Sequence, residues 1–168
     1  MKTDEIKLLY EYHYWADRRI LTTCAQVTEA QYVASTDFGN LRHILIHLLD
    51  AVMVWRLICQ GVSVTDWTEL SEADFPTLSD LDAGWQAEQQ EMRAYLDSLS
   101  DEDMNGIVRY EGDSGVIRER VLWHCLWHVV NHATQHRSEA AALLTSYGQS
   151  PGELDFTRFL NEHFNLPS

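Results

Sequence analysis

Six histidines define the chemistry this sequence can do. His124, His128, His132 and His136 recur at intervals of four within VIRERVLWHCLWHVVNHATQHRSEAAALLTSY, residues 116–147. His43 and His47 repeat that interval upstream. On an α-helix, residues four apart lie one above the other, each step turned by about 40° around the axis. The four therefore make a slowly winding stripe. Neighbouring pairs can share one ligand; the outer two, His124 and His136, cannot easily do so. Imidazoles at i, i+4 hold metal ions, as in the HExxH arrangement. Two from one helix leave a tetrahedral ion short of ligands. A third from a facing helix gives a three-nitrogen site with an open position, the pattern of catalytic zinc.

His47 is the natural third ligand, because Ile44 and Leu48 flank it and it borders the core in mid-helix. On the later stretch the pair is His128 with His132 or His132 with His136, and spacing alone does not choose. A single histidine on an apolar face is usually a hydrogen-bonded core residue. Four at this spacing, with a second pair elsewhere, make that the weaker reading. Asp50, three residues after His47, is placed to be an outer partner. Asn131 and Arg137 add polarity beside the pair. His13, in the aromatic segment Tyr12–Asp17, reads as solvent-facing or hydrogen-bonded.

These side chains need helices to position them. The periodicity predicts a first helix over 3–27 capped by Thr3 or Asp4, and a second over 41–60 capped by Asn40 and stopped at Gly61. A third is predicted over 79–99, with Thr77 or Ser79 as cap and Asp80 or Asp82 closing a capping box. The fourth carries the histidine stripe to about Tyr147 and stops at Gly148. A short closing helix follows at 155–163. Residues 28–39 and 61–78 read as connections, the second pinned by Trp67 and Phe75. Asn105-Gly106 and the cluster Gly112-Asp113-Ser114-Gly115 are turn signals, so Ile107–Tyr110 and Val116-Ile117 form a short hairpin before the last long helix. Long amphipathic helices in a chain of this size predict an all-α helical bundle, with antiparallel and crossover topologies both open.

Composition narrows the function. The chain has 168 residues, which suits one domain over 1–168. It carries 12 Lys plus Arg against 26 Asp plus Glu, a net charge of −14. Such a surface repels nucleic-acid phosphates and anionic membranes, so neither is an expected partner. Cys24, Cys59 and Cys125 lie in apolar helical patterns without CxxC spacing. An odd, buried set suits small core hydrophobes in a reducing cytoplasm. No signal-peptide run or membrane-spanning stretch is present, so the expected location is the cytoplasm.

The residues His128-Val129-Val130-Asn131-His132-Ala133-Thr134-Gln135-His136-Arg137 resemble the HxxNHxxxHR signature of the DinB/YfiT-like metalloenzymes of the DinB superfamily. Tyr12-xx-Trp15-Ala16-xx-Arg19 is similar to that family's first-helix motif. Leu41 to His47, with Trp55 eight residues later, is similar to its second helix. Gly148-xx-Pro151-xxx-Asp155 fits its close, so the likeness spans nearly the whole chain. It implies an up-down-down-up four-helix bundle and a divalent-metal site formed by His47, His132 and His136, with His128 as a neighbouring pocket residue. Zinc is the first expectation; nickel, manganese or iron accept the same ligands. The resemblance also implies a homodimer. Characterised relatives use low-molecular-weight thiols such as bacillithiol, mycothiol or glutathione in S-transfer or isomerisation. The expected function is therefore a metal-dependent thiol S-transferase acting on an electrophilic substrate. The alternative is a non-catalytic, metal-binding stress-response bundle acting as a dimer. Family members commonly continue HR with Gly-Gln, whereas this chain has Ser138 and Glu139. The ligands are untouched, and any part played by that glutamine is not carried over.

Overall fold

A computed structural model of the protein describes residues 1–36, 39–112 and 115–167. It is mostly helical. Helix α1 spans Thr3–Cys24, α2 Glu29–Tyr32, α3 Leu41–Cys59, α4 Leu78–Ser98, α5 Leu122–Ser146 and α6 Phe156–His163. A 3-10 turn at Asp103–Asn105 leads into strands β1, Ile107–Glu111, and β2, Ile117–Val121, which pair antiparallel.

The helix starts follow from capping chemistry, since the first backbone N–H groups of a helix have no partner within it. Asn40 caps α3 by accepting from the His43 N–H at 2.7 Å. Thr77, not Ser79, caps α4, and Asp80 accepts back from the Thr77 N–H at 3.0 Å. At α1 neither Thr3 nor Asp4 is the cap. Lys2 holds that position, its N–H donating to Glu5 at 2.8 Å, while Thr3 bonds across to Asp101. Gly61, at φ +75, ends α3 in a left-handed turn that glycine adopts without strain.

Two stretches differ from the sequence expectation. The helix carrying the histidines begins at Leu122, and residues 117–121 are β2 instead. Only Ile117 and Val121 of Ile117-Arg-Glu-Arg-Val121 are apolar, and Ile117 is exposed, so little draws the segment onto the core as a helix. The turn between the strands returns it against β1; Asp113 and Ser114 of that turn lie outside the described residues. In the connection 28–39, Thr28 and Gln31 form a capping box that winds Glu29–Tyr32 into one helical turn and buries Tyr32. Asp37 and Phe38 of the same connection also lie outside the described residues.

Helices α1 and α3 each pack against both α4 and α5. Their shared core includes Ile6, Tyr10, Ile20, Leu41, Leu48, Leu49, Trp85, Met92, Leu126 and Leu144, all essentially inaccessible to water. Truncating one of these leucines to alanine would cost roughly 2–5 kcal/mol. Between α3 and α4 the core also contains an ion pair, Arg56 to Glu88, closed by bonds of 2.7 and 2.8 Å. Helix α6 packs on α1 through Phe159 against Tyr12 and Trp15. The loop 61–78 is pinned as expected: Trp67 donates to Asp50 at 2.9 Å, and Phe75 lies against Gly84. Among the described residues, no helix is long and apolar enough to cross a membrane.

Candidate metal centre

The packing of α3 on α5 decides which histidines meet. Leu48, Leu49 and Val52 of α3 and Leu126, Val129 and Ala133 of α5 are buried in the core, which holds the two helices in register. His47 at the edge of this seam faces His132 and His136 across it. Its ring centroid lies 5.7 Å from that of His132 and 4.8 Å from that of His136, while His132 and His136 are 4.5 Å apart. One nitrogen from each of the three falls within 4.8 Å of the others. Tetrahedral zinc would need nitrogens about 3.4 Å apart, so the three rings would have to draw in around an ion.

The other histidines do not join them. His43 stacks beside His47 at 6.4 Å on the exposed side of α3. His124 lies against Trp123, and His163 is at the end of α6 against Phe159 and Phe164. His128 stacks on His132 at 5.6 Å and turns its other side to Trp55, 4.7 Å away.

The sequence model of the DinB family matches residues 1–164. The chain belongs to the DinB family. No curated protein matches it.

The electrostatics of this DinB centre favour neutral imidazole, the form that binds a metal. Burial pushes His132 down to about 4, and its neighbours His136, His128 and His47 push the same way. Burial and then His136 also lower His47. His47 and His132 thus resist charging by acid while offering their lone pairs to a cation.

Two carboxylates flank the centre. Glu139 accepts from His136 Nδ1 at 2.7 Å. A carboxylate can only accept there, so Nδ1 carries the proton and Nε2 is left as the donor atom. Sequence reasoning missed this residue, although the i, i+3 spacing from His136 was visible. In this DinB chain Glu139, directly after Arg137-Ser138, is an acid that orients a histidine of the cluster. The second carboxylate, Glu69, lies 4.0 Å from His47 Nδ1 on the exposed loop. Asp50, the expected outer partner of His47, is used elsewhere: it accepts from Trp67 Nε1 and from the Leu70 N–H, both at 2.9 Å.

Arg137 also departs from its expected place. It turns away from the three histidines into the core and meets His13 and Asp17 of α1. His13 is hydrogen-bonded and wholly buried rather than solvent-facing. Asn131 is exposed. The cysteines are free and buried, in keeping with a packing role.

Proposed function

We propose that the protein binds one divalent metal ion through His47, His132 and His136 and uses it as a thiol S-transferase, taking a low-molecular-weight thiol and a small electrophilic substrate. One observation carries this reading. Three imidazoles converge from two helices, and among the described residues no fourth histidine, cysteine or carboxylate completes the group. An ion held so would keep a position open and would there lower the pKa of a bound thiol into the neutral range. The chain's own part is to present neutral nitrogens and to fix His136 through Glu139. Zinc suits three nitrogens and an open site; nickel, manganese and iron are the other candidates. The fold belongs to the same reading: α1, α3, α4 and α5 as an up-down-down-up four-helix bundle, supported by the packing of α1 and α3 against both α4 and α5. So does a homodimer, for which exposed Trp127 on α5 offers interface area; light scattering at micromolar concentration reads it.

Glu69 supports a second reading. If its loop closed so that the carboxylate replaced the open position, the site would be structural, and the protein a metal-stabilised stress-response bundle without catalysis. A thiol-consumption assay on metal-loaded protein separates the two. Turnover that disappears in His132→Ala supports the transferase. A melting temperature that depends on the metal, with no thiol consumed, overturns it in favour of the structural reading.

A further inference from the structure

Beside the histidine centre is a cavity of about 370 Å³, walled by α3, the hairpin and the first turns of α5. We propose that it binds a small organic anion, with a carboxylate or phosphate held at one end and a flat apolar body at the other. This deepens the transferase reading by naming a substrate class, but the binding itself does not require the metal.

Charge is the first observation. Acids outnumber bases 26 to 12 in this chain, yet two arginines, Arg118 and Arg120, line this cavity and no Asp or Glu does. Every other arginine lies within 3.8 Å of a carboxylate. Among the described residues Arg118 and Arg120 have no such partner; Arg120 donates only to the Glu119 carbonyl, at 2.8 Å. Exposed arginines on a strand are ordinarily just solvated. Here strand alternation puts these two on one face, and register sets Arg118 directly opposite Tyr110. Both therefore look into the cavity, while Glu119 pairs with Arg109 on the other face. The start of α5 adds the same sign: it has no acidic residue in its first turn and no side-chain cap at Val121.

Shape is the second observation. Trp55 and Tyr110 meet edge to face at 5.4 Å, and the Trp55 ring lies 4.7 Å from that of His128. These rings offer flat apolar surface opposite the guanidinium groups. A guanidinium fork matches carboxylate or phosphate oxygens two at a time, and aromatic faces hold a planar body. The wall is also shared, because His128 stacks on His132 of the histidine centre. A ligand anchored by the arginines thus has its uncharged end on the side of the metal site.

Calorimetric titration of the full chain with four probes tests this: phenyl phosphate, benzoate, inorganic phosphate and benzyl alcohol. At least one of the two aromatic anions should bind saturably, one per chain, and which of them binds tighter assigns phosphate or carboxylate. Benzyl alcohol should bind at least about tenfold more weakly. The double variant Arg118→Gln/Arg120→Gln should weaken the anion by about tenfold or more, and added salt should weaken it further. Trp55→Ala should weaken the aromatic anions and leave inorganic phosphate unaffected. Arg109→Gln, on the opposite face of the hairpin, should change nothing. The exposed glutamine variants should keep the wild-type circular dichroism. Equal binding of benzyl alcohol, equal loss in Arg109→Gln, or no binding of either aromatic anion overturns the proposal. His47→Ala keeps failures apart. Anion binding that survives there while metal is lost stands without the metal reading; wild-type protein that holds metal but no anion refutes this inference alone.

Discussion

His136 and Arg137 are neighbours in sequence but face two different polar clusters. Arg137 points into the core, where its Nη1 lies 2.6 Å from His13 Nδ1 and 3.0 Å from Asp17 Oδ1, and its Nη2 donates to Thr134. All three charged or titratable members are at most 2% exposed. His136 points into the seam with α3, where His47 and His132 bring nitrogens together without any protein acceptor between them. The first cluster joins a cation to an anion, with His13 Nε2 lying 3.2 Å from Asp17 Oδ2, although neither of these two buried atoms makes a hydrogen bond. The second gathers three imidazoles, one nitrogen from each within 4.8 Å of the others, with no cation between them. A buried cluster whose charges are matched by its own partners holds a fold together, whereas lone pairs that converge without a cation call for a ligand.

The comparison breaks most visibly at Arg137. Arg137→Met should strand Asp17 as a buried, uncompensated acid and cost roughly 3–5 kcal/mol in denaturant unfolding of the metal-free protein. His132→Ala, half-buried with no carboxylate partner, and His136→Ala, which leaves only the part-exposed Glu139 unpaired, should each cost no more than about 1 kcal/mol under the same conditions. Equal losses at the two sites would mean that the histidines are structural after all.

Adding metal should reverse the ranking. At a hundredfold excess over Kd, wild-type protein should gain about 2.7 kcal/mol, and His47→Ala, His132→Ala and His136→Ala should each gain nothing. His43→Ala, His124→Ala and His163→Ala should keep one ion per chain by elemental analysis of protein purified without a His tag, and His128→Ala should lose less than the three. If His128→Ala strips the metal and His136→Ala does not, the centre sits one turn earlier on α5.

A smaller effect tests the orienting acid. Glu139→Gln should weaken metal binding by roughly 10–100-fold, since a neutral amide holds the His136 ring less firmly and makes its Nε2 less basic. Competition against a chelator measures it. An unchanged affinity would reduce the His136–Glu139 contact to an ordinary i, i+3 surface pair.

Much of the centre was legible because helical spacing is a strict ruler. The stripe at every fourth residue and the pair on α3 were readable from the chain, and Asn40 and Gly61 set the limits of α3 much as their side-chain chemistry dictates. Which histidines meet was not readable from spacing. That depends on how far α5 slides along α3, set by Leu126, Val129 and Ala133 packing against residues some eighty positions away. The same long-range packing took Asp50 to Trp67 and Arg137 to His13, because a buried carboxylate or guanidinium binds whatever complementary group the core brings near. The hairpin was half visible: Gly112 and Gly115 marked the turn, but the apolar residues at 121 and 122 made the end of β2 look like a helix start.

The last and smallest difference between the clusters is in their response to acid. His132 keeps its ordinary value of 6.5 in the unfolded chain and is lowered to about 4 in the fold, chiefly by burial. Above pH 6.5 it is neutral in both states and contributes nothing. Between about 6.5 and 4 the unfolded chain takes up a proton that the folded one refuses, so metal-free stability falls as pH falls. The ring is partly open to water, so the loss is about 1 kcal/mol rather than the full linkage value. Asp17 runs the other way. Burial raises it to about 6 against 3.8 when unfolded, with Arg137 pulling it back down, so the fold gains a proton on acidification before the unfolded chain does and is stabilised across that window. The two slopes oppose each other, and the wild-type curve from pH 7 to 4 should be shallow. His132→Asn should remove the falling arm, so that metal-free stability rises on acidification; Asp17→Asn should remove the rising arm and steepen the fall. Urea unfolding across one pH series reads both slopes. Since His47 and His132 both resist protonation, metal affinity should fall in more acidic solution than three ordinary imidazoles would give. A His132→Asn curve parallel to wild type would show that this ring is not held neutral by its surroundings, and would remove the electrostatic distinction between the two clusters.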